Sequence, residues 1–292
     1  MTATLVTATR VNQRGGALRR FVRAEPIGIA SLVFIAIIVI VAVFAQWIAP
    51  YSSFEQHREA ILEPPSGEFL LGTDWLGRDQ LSRIIYGGQT SLVIAVSTTL
   101  IGGLLGVLIG MVSGYLGGVT DLTVQRIADA IESIPPLVLL LLIAAIMGPS
   151  IPNTIFALMV MLLPGFNRVA RGEVIRLKQE RYIEASRSVG AKAPRLVLRH
   201  ILPNMAGPLL TVATLRFAGV IVAESALSFL GLGPAPPTPS WGGMLSSGVQ
   251  YLSYAPWLIV YPAFALALAV LAFNLFGDSL RDYLDPRLTR RG

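Results

Sequence analysis

Apolar runs long enough to cross a bilayer alternate along this chain with short, charged connections. From Gly28 to Ala49 only Ser31 and Gln46 interrupt the apolar residues. About 22 residues at 1.5 Å rise span the roughly 30 Å hydrocarbon core. The run is too long for a signal-peptide core, and no small-residue cleavage site follows, so it reads as an uncleaved first span. Further spans are expected at 90–114, 122–147, 153–171, 208–230 and 256–277. The third starts among charges (Arg126, Asp129, Glu132), and Pro135 and Pro136 are expected to kink it. The fourth contains Pro164 and Gly165. The fold class is therefore all-α and integral to a membrane, with six transmembrane helices. The expected organisation is an N-terminal segment 1–27, a first span 28–49, a polar excursion 50–89, a five-span core 90–280 with a loop at about 172–205, and a tail 281–292.

Composition agrees: of 292 residues, 53% are hydrophobic and 14% charged, against roughly 25% charged in a soluble domain. The net charge of +6 raises the question of nucleic acid, but its placement argues against that. Nine of the 23 basic residues lie between Arg168 and Arg199, and nine more sit at the two ends, Arg10 to Arg23 and Arg281 to Arg291. That distribution follows the positive-inside rule and puts both termini and the 172–205 loop in the cytoplasm. The stretches 148–153 and 231–255 carry no charge and belong outside, with the long 50–89 loop. No cysteine is present, which removes disulfides and thiolate metal sites. His57 and His200 fall on opposite faces, so no metal site is expected.

Two local patterns stand out. Glycines 102, 106, 110, 114 and 118 recur every four residues, a small-xxx-small stripe that lets two helices approach closely. Between the fourth and fifth spans, Glu184–Asn204 reads EASRSVGAKAPRLVLRHILPN. Helix-favouring residues run from Glu173 to Val189, with Ile175, Tyr182, Ser186 and Val189 on one stripe. Gly190 supplies the positive φ that ends a helix, in a turn where a side chain is expected to clash. Pro194 suits the first turn of a second helix that stops before Pro203. Such a basic hairpin fits either a groove on a partner protein or a solvated loop near anionic lipid. Composition leaves both open.

The same segment resembles the EAA loop of the permease subunits of bacterial ABC importers. Glu184, Ala185, Gly190, Leu202 and Pro203 match that pattern; Ser186 replaces an alanine, and His200 stands where the general pattern has isoleucine. The blocks Leu71–Leu92, Ala223–Leu245 and Ala272–Arg287 are similar to the "C" permeases of the dipeptide, oligopeptide and nickel importers. The resemblance implies the type I ABC importer permease fold. It also implies a sister permease forming a heterodimer, ATPase subunits gripping the hairpin, and an extracytoplasmic peptide-binding protein, in a bacterial cell membrane. ATP and Mg would be held by the ATPase subunits, with no cofactor on this chain. Asp74, Arg78, Asp79 and Trp241 are candidates for the binding-protein contact. For the proline-rich stretch before Trp241, a rigid connector fits the composition equally well.

Charges inside spans are costly, about 2.5–3.5 kcal/mol on insertion scales, so each should face protein or water. Glu224 and Arg216 lie in the fifth span, eight residues and about 80° apart on an ideal helix. Both are candidates for a translocation pathway or an intramembrane polar contact. Arg126 and Asp129, three apart, are close enough to pair on one face; their expected role is to anchor the cytoplasmic end, and both are also candidates for the pathway or an intramembrane polar contact. No phosphate-binding loop GxxxxGK[ST] is present, and no nucleophile–base–orienter set stands out. The chain therefore reads as a transport subunit rather than an enzyme. Within the family, a nickel or metallophore importer is not separated from a peptide importer. Outside it, a proton-coupled secondary transporter would use Glu224 or Asp129 as relay, and would bring inverted repeats that are not seen.

Overall fold

The computed structural model describes residues 25–284; the arginine-rich segment before them and the tail after them lie outside the described residues. The fold is all-α. Helix α1 (Pro26–Val43) starts with proline at its first turn and is followed by a single turn, α2 (Ala45–Ile48). An irregular loop leads to α3 (Gln80–Leu116), whose N-cap Asp79 accepts the Ser82 N–H at 2.7 Å. Then come α4 (Gly118–Glu132), α5 (Pro136–Met147) and α6 (Ile151–Lys178). The hairpin comprises α7 (Arg181–Ser188) and α8 (Ala193–Leu196). A π-turn, Val197–Ile201, leads into α9 (Leu202–Phe229). The last helices are α10 (Trp241–Gly248) and α11 (Trp257–Leu284).

Five helices among the described residues are long and apolar enough to span, and a sixth crossing results if α4 and α5 are counted together. Those two meet at 89°, a corner rather than the expected kink. The physical reason is local: Pro135 and Pro136 remove two consecutive backbone donors and disfavour helical conformation before each. Twelve residues of α5 rise about 18 Å, short of the roughly 30 Å core.

Helices α3 and α6 run parallel and form the most extensive interface of the bundle. The glycine stripe makes this contact. A Cβ on Gly106 would come within 2.7 Å of the Phe166 Cβ and 2.8 Å of the Leu163 carbonyl oxygen. Gly102 faces Met159, Gly110 faces the Asn167 carbonyl and Gly114 faces Arg171. Gly118 is not part of the stripe: it opens α4 with φ +56° and nothing near it. Backbones this close gain dispersion along their whole length, the usual route to helix association in lipid.

Helix α3 starts ten residues before the expected span, and Arg83 in its first turns is compensated. Its Nε lies 3.4 Å from the Asp74 carboxylate and its Nη1 donates to the Ser53 carbonyl at 3.1 Å. Asp74 also accepts from Arg78 Nε at 2.7 Å and from the backbone N–H groups of Leu76 and Arg78. Trp257 Nε1 donates to the Thr73 carbonyl at 3.2 Å, which ties this loop to α11.

Candidate coupling hairpin and translocation cleft

The hairpin packs one face on the bundle and turns the other outward. Ile183, Leu196, Ile201 and Met205 are buried and continue the core that includes Val174 and Leu177 of α6. The helix expected from Glu173 to Val189 breaks at Gln179–Glu180. The expected stripe of Ile175, Tyr182, Ser186 and Val189 is consequently not the inner face. Tyr182 and Ile175 are exposed, and Val189 and Leu198 are 86% and 63% exposed. Glu184, Ala185 and Gly190 share that outer surface, with Ser186 half-buried.

The turn is a Schellman motif. The Gly190 N–H donates to the Arg187 carbonyl at 3.0 Å and the Ala191 N–H to Ser186 at 3.1 Å, while Gly190 holds φ +87°. The expected clash is absent: a Cβ on Gly190 would meet nothing within 4 Å. Glycine is required here by φ alone.

The second helix does not stop at Pro203. The Leu202 N–H bonds to the Val197 carbonyl, five residues back. Pro203 sits in the first turn of α9, where the loosened ladder has no use for its missing donor. Asn204 Nδ2 donates to the His200 carbonyl at 2.6 Å. The His200 ring lies 6.4 Å from that of Tyr182, centroid to centroid. The hairpin is thus continuous with α9.

A cleft of about 790 Å³ opens between the α4–α5 corner, α6, α9 and α11. Its walls are apolar (Leu140, Met161, Leu162, Val220, Val270) apart from Glu132, Arg216 and Asn274. The Arg216 guanidinium lies against Gly165, where a Cβ would be 2.6 Å from its Nη2. Glu224 is not on this cleft. It is fully buried, accepting from the Ser228 hydroxyl at 2.7 Å and from Ser225 at 3.4 Å. These partners belong to α9 itself, and Glu224 does not line the cleft.

Asp129 pairs with Arg168, 2.9 Å away on α6, rather than with Arg126, which is exposed and without an ion-pair partner among the described residues. Arg168 also meets Glu132 at 2.6 Å, and Arg171 grips Asp121 through two bonds of 2.6 Å. Lys178 Nζ donates to the Tyr115 carbonyl at 2.7 Å, at the end of α3. These basic residues of α6 were visible in the sequence only as part of a cytoplasmic excess. Their partners lie 36 to 63 positions away, and no spacing pattern connects them.

The four residues proposed to meet a binding protein are corrected by burial. Asp74, Arg78 and Asp79 are buried in the loop's own framework, and Trp241 is buried with its Nε1 on the Ile84 carbonyl at 3.1 Å. None offers a free side chain to a partner.

A family model described as "binding-protein-dependent transport system inner membrane component" matches residues 106–290. This chain belongs to that family. The permease also matches, over residues 13–65, the N-terminal TM domain of oligopeptide transport permease C. It is 42% identical over 266 residues to the di/tripeptide transport system permease protein DppC of Pseudomonas aeruginosa, covering 89% of this chain and 88% of that one. It is 41% identical over 271 residues to the glutathione transport system permease protein GsiD of Escherichia coli, covering 92% and 89%. Its fold is similar to that of the inward-facing MetNI methionine ABC transporter, with TM-score 0.56 and 20% identity over 68% of this chain and 95% of that one. The permease is therefore an inner-membrane component of a bacterial ABC importer, with the type I fold and of the "C" type found in peptide and nickel systems.

Proposed function

We propose that this permease forms one half of the translocation pathway of an ATP-driven importer of short peptides. A sister permease supplies the other half, and the hairpin is the handle gripped by a cytoplasmic ATPase subunit. The observation that carries this reading is the outer face of the hairpin. On an otherwise basic element, Val189 and Leu198 are exposed, as are Glu184 and Ala185. Exposed apolar side chains on a short rigid helix pair suit insertion into a protein groove better than a solvated loop over lipid headgroups. The peptide cargo is supported by the relatives, since both belong to systems named for di/tripeptides or glutathione. The chain carries no ATPase machinery of its own; ATP and Mg belong to the partner subunits. Both termini and the hairpin face the cytoplasm on the charge asymmetry.

The test is reconstitution in liposomes with the sister permease, the ATPases and a loaded binding protein. ATP-dependent accumulation of a labelled di- or tripeptide is expected. With Val189→Asp or Leu198→Asp, accumulation and binding-protein-stimulated hydrolysis should fall while basal hydrolysis persists. Wild-type stimulation in both variants would refute the docking surface.

A further inference from the structure

Arg216 is a charge that the described structure does not compensate. It sits at the midpoint of α9, where a guanidinium without a partner is unfavourable in hydrocarbon. It forms no ion pair or hydrogen bond among the described residues. The acids nearest in the architecture are committed or turned away. Glu132, on the same cleft, is held by Arg168 at 2.6 Å. Glu224 is buried on another face of α9 with Ser228. Asp278 of α11 lies next to Gly277, which packs on Leu215, yet it makes no ion pair with Arg216.

The fold nevertheless makes room for this side chain. The guanidinium lies against Gly165 of the Pro164–Gly165 step in α6, so a Cβ there would require the arginine to shift. Arg216 lines the apolar cleft, whose other polar lining residues are Glu132 and Asn274 of α11.

We infer that Arg216 binds the C-terminal carboxylate of a peptide in transit through the cleft. The inference rests on the peptide-import reading above. A guanidinium presents paired N–H donors that match a carboxylate, and Arg216 is exposed to a cleft whose walls are largely apolar. The carboxylate is the one anionic group that every linear, unblocked peptide carries whatever its side chains. A single arginine there accepts varied sequences and discriminates against cargo whose C-terminus is neutral.

The experiment compares the wild type with Arg216→Gln and Arg216→Lys in the full reconstituted complex. A peptide with a free C-terminus is set against its amide, each at a concentration that saturates the binding protein. Wild type should transport the free acid about tenfold faster, the range set by one charged hydrogen-bonding contact. Arg216→Gln should bring the ratio near one by slowing the acid alone, and Arg216→Lys should keep part of the preference. Equal slowing of both cargoes by Arg216→Gln overturns the inference, as does an unchanged ratio. Loss of the sister permease on co-purification overturns it too, by assigning the charge to an acid of that subunit. If wild type imports neither peptide, the peptide-import reading itself falls. That outcome is distinct from import without discrimination at Arg216.

Discussion

Replacing Gly190 separates backbone conformation from packing more cleanly than any other change in the hairpin. The residue holds φ +87°, and a Cβ there would touch nothing within 4 Å, so a substitution acts through φ alone. A left-handed conformation costs a non-glycine residue about 1–2 kcal/mol, at the upper end or beyond for a β-branched one. The two Schellman hydrogen bonds from Gly190 and Ala191 oppose this, each contributing roughly 0.5–1.5 kcal/mol net. Strain and restraint are therefore of similar size. A shift of 1–2 kcal/mol moves the formed-to-open ratio of the turn by roughly 5–30-fold. Ile183 and Leu196, on either side of the turn, are buried in the bundle, so the hairpin should lose its handed turn without leaving the bundle. Asparagine tolerates the left-handed region, alanine less, valine least. Binding-protein-stimulated ATP hydrolysis in liposomes should accordingly fall in the order Gly190→Asn, Gly190→Ala, Gly190→Val. The valine variant should drop at least about fivefold, with basal hydrolysis and membrane insertion unchanged. Equal loss in the asparagine and valine variants would show that an added side chain obstructs the contact. Full activity in Gly190→Val would show that the turn's handedness is irrelevant to coupling. Either result refutes the reasoning.

Other expectations test separate parts of the structure. Single cysteines at the exposed positions Glu68 and Ser247 should react with a membrane-impermeant thiol reagent in intact cells, and one at Ser188 only after permeabilisation; labelling of Ser188 in intact cells would invert the topology. Asp74→Ala leaves Arg78 and Arg83 buried without their carboxylate, and should cost about 3–5 kcal/mol, seen as a strong loss of thermal stability in detergent; an unchanged midpoint would mean the cluster is already solvated. Gly106→Leu must separate α3 from α6 against contacts below 3 Å, a penalty of about 1–3 kcal/mol or more, read as lower folded yield; wild-type yield would remove the glycine stripe from the account of packing. Glu224→Leu removes the acceptor of Ser228 and should lower stability, yet transport per folded complex should persist because the carboxylate is off the cleft; a fully folded but inactive variant would return Glu224 to the pathway.

What was legible in the sequence was what depends on local composition. Apolar length located α1, α3, α6, α9 and α11, and the four-residue glycine period marked the face of α3 that meets α6. A matched pattern and one glycine located the hairpin turn. Effects that depend on distant partners were not legible. The first ten residues of α3 read as part of the polar 50–89 excursion, and the pairing of Arg83 with Asp74, from the preceding loop, has no local signal. Asp74, Arg78 and Asp79 read as a polar surface when they are the loop's buried interior. Pro203 looked like a terminator because nothing in the residue types announces the π-turn that accommodates it. Asp129 had a plausible partner three residues away and found a better one 39 positions on, across the α4–α6 contact.

The connection between hairpin and cleft follows from where the chain does and does not break. Entering the hairpin, α6 ends at Lys178 only three residues before α7, and its end is pinned to α3 through Lys178 and the Tyr115 carbonyl. Leaving it, the backbone is helical without interruption from Ala193 to Phe229. Met161 and Leu162 of α6, and Leu215, Val220 and Ala226 among others of α9, wall the cleft, and Arg216 lies against Gly165. A displacement applied to the hairpin thus reaches α9 through continuous helix, whereas α6 is restrained by its parallel partner. Two places on that path already lack the regular i→i−4 ladder, the π-turn and Pro208 inside α9, and the π-turn lies next to the hairpin. Helix α4 is clamped to α6 by Arg168 and Arg171, so it stays with the restrained side. On the proposed coupling role, movement of the hairpin is expected to change the separation of α9 from a block formed by α3, α4 and α6, and with it the shape of the cleft.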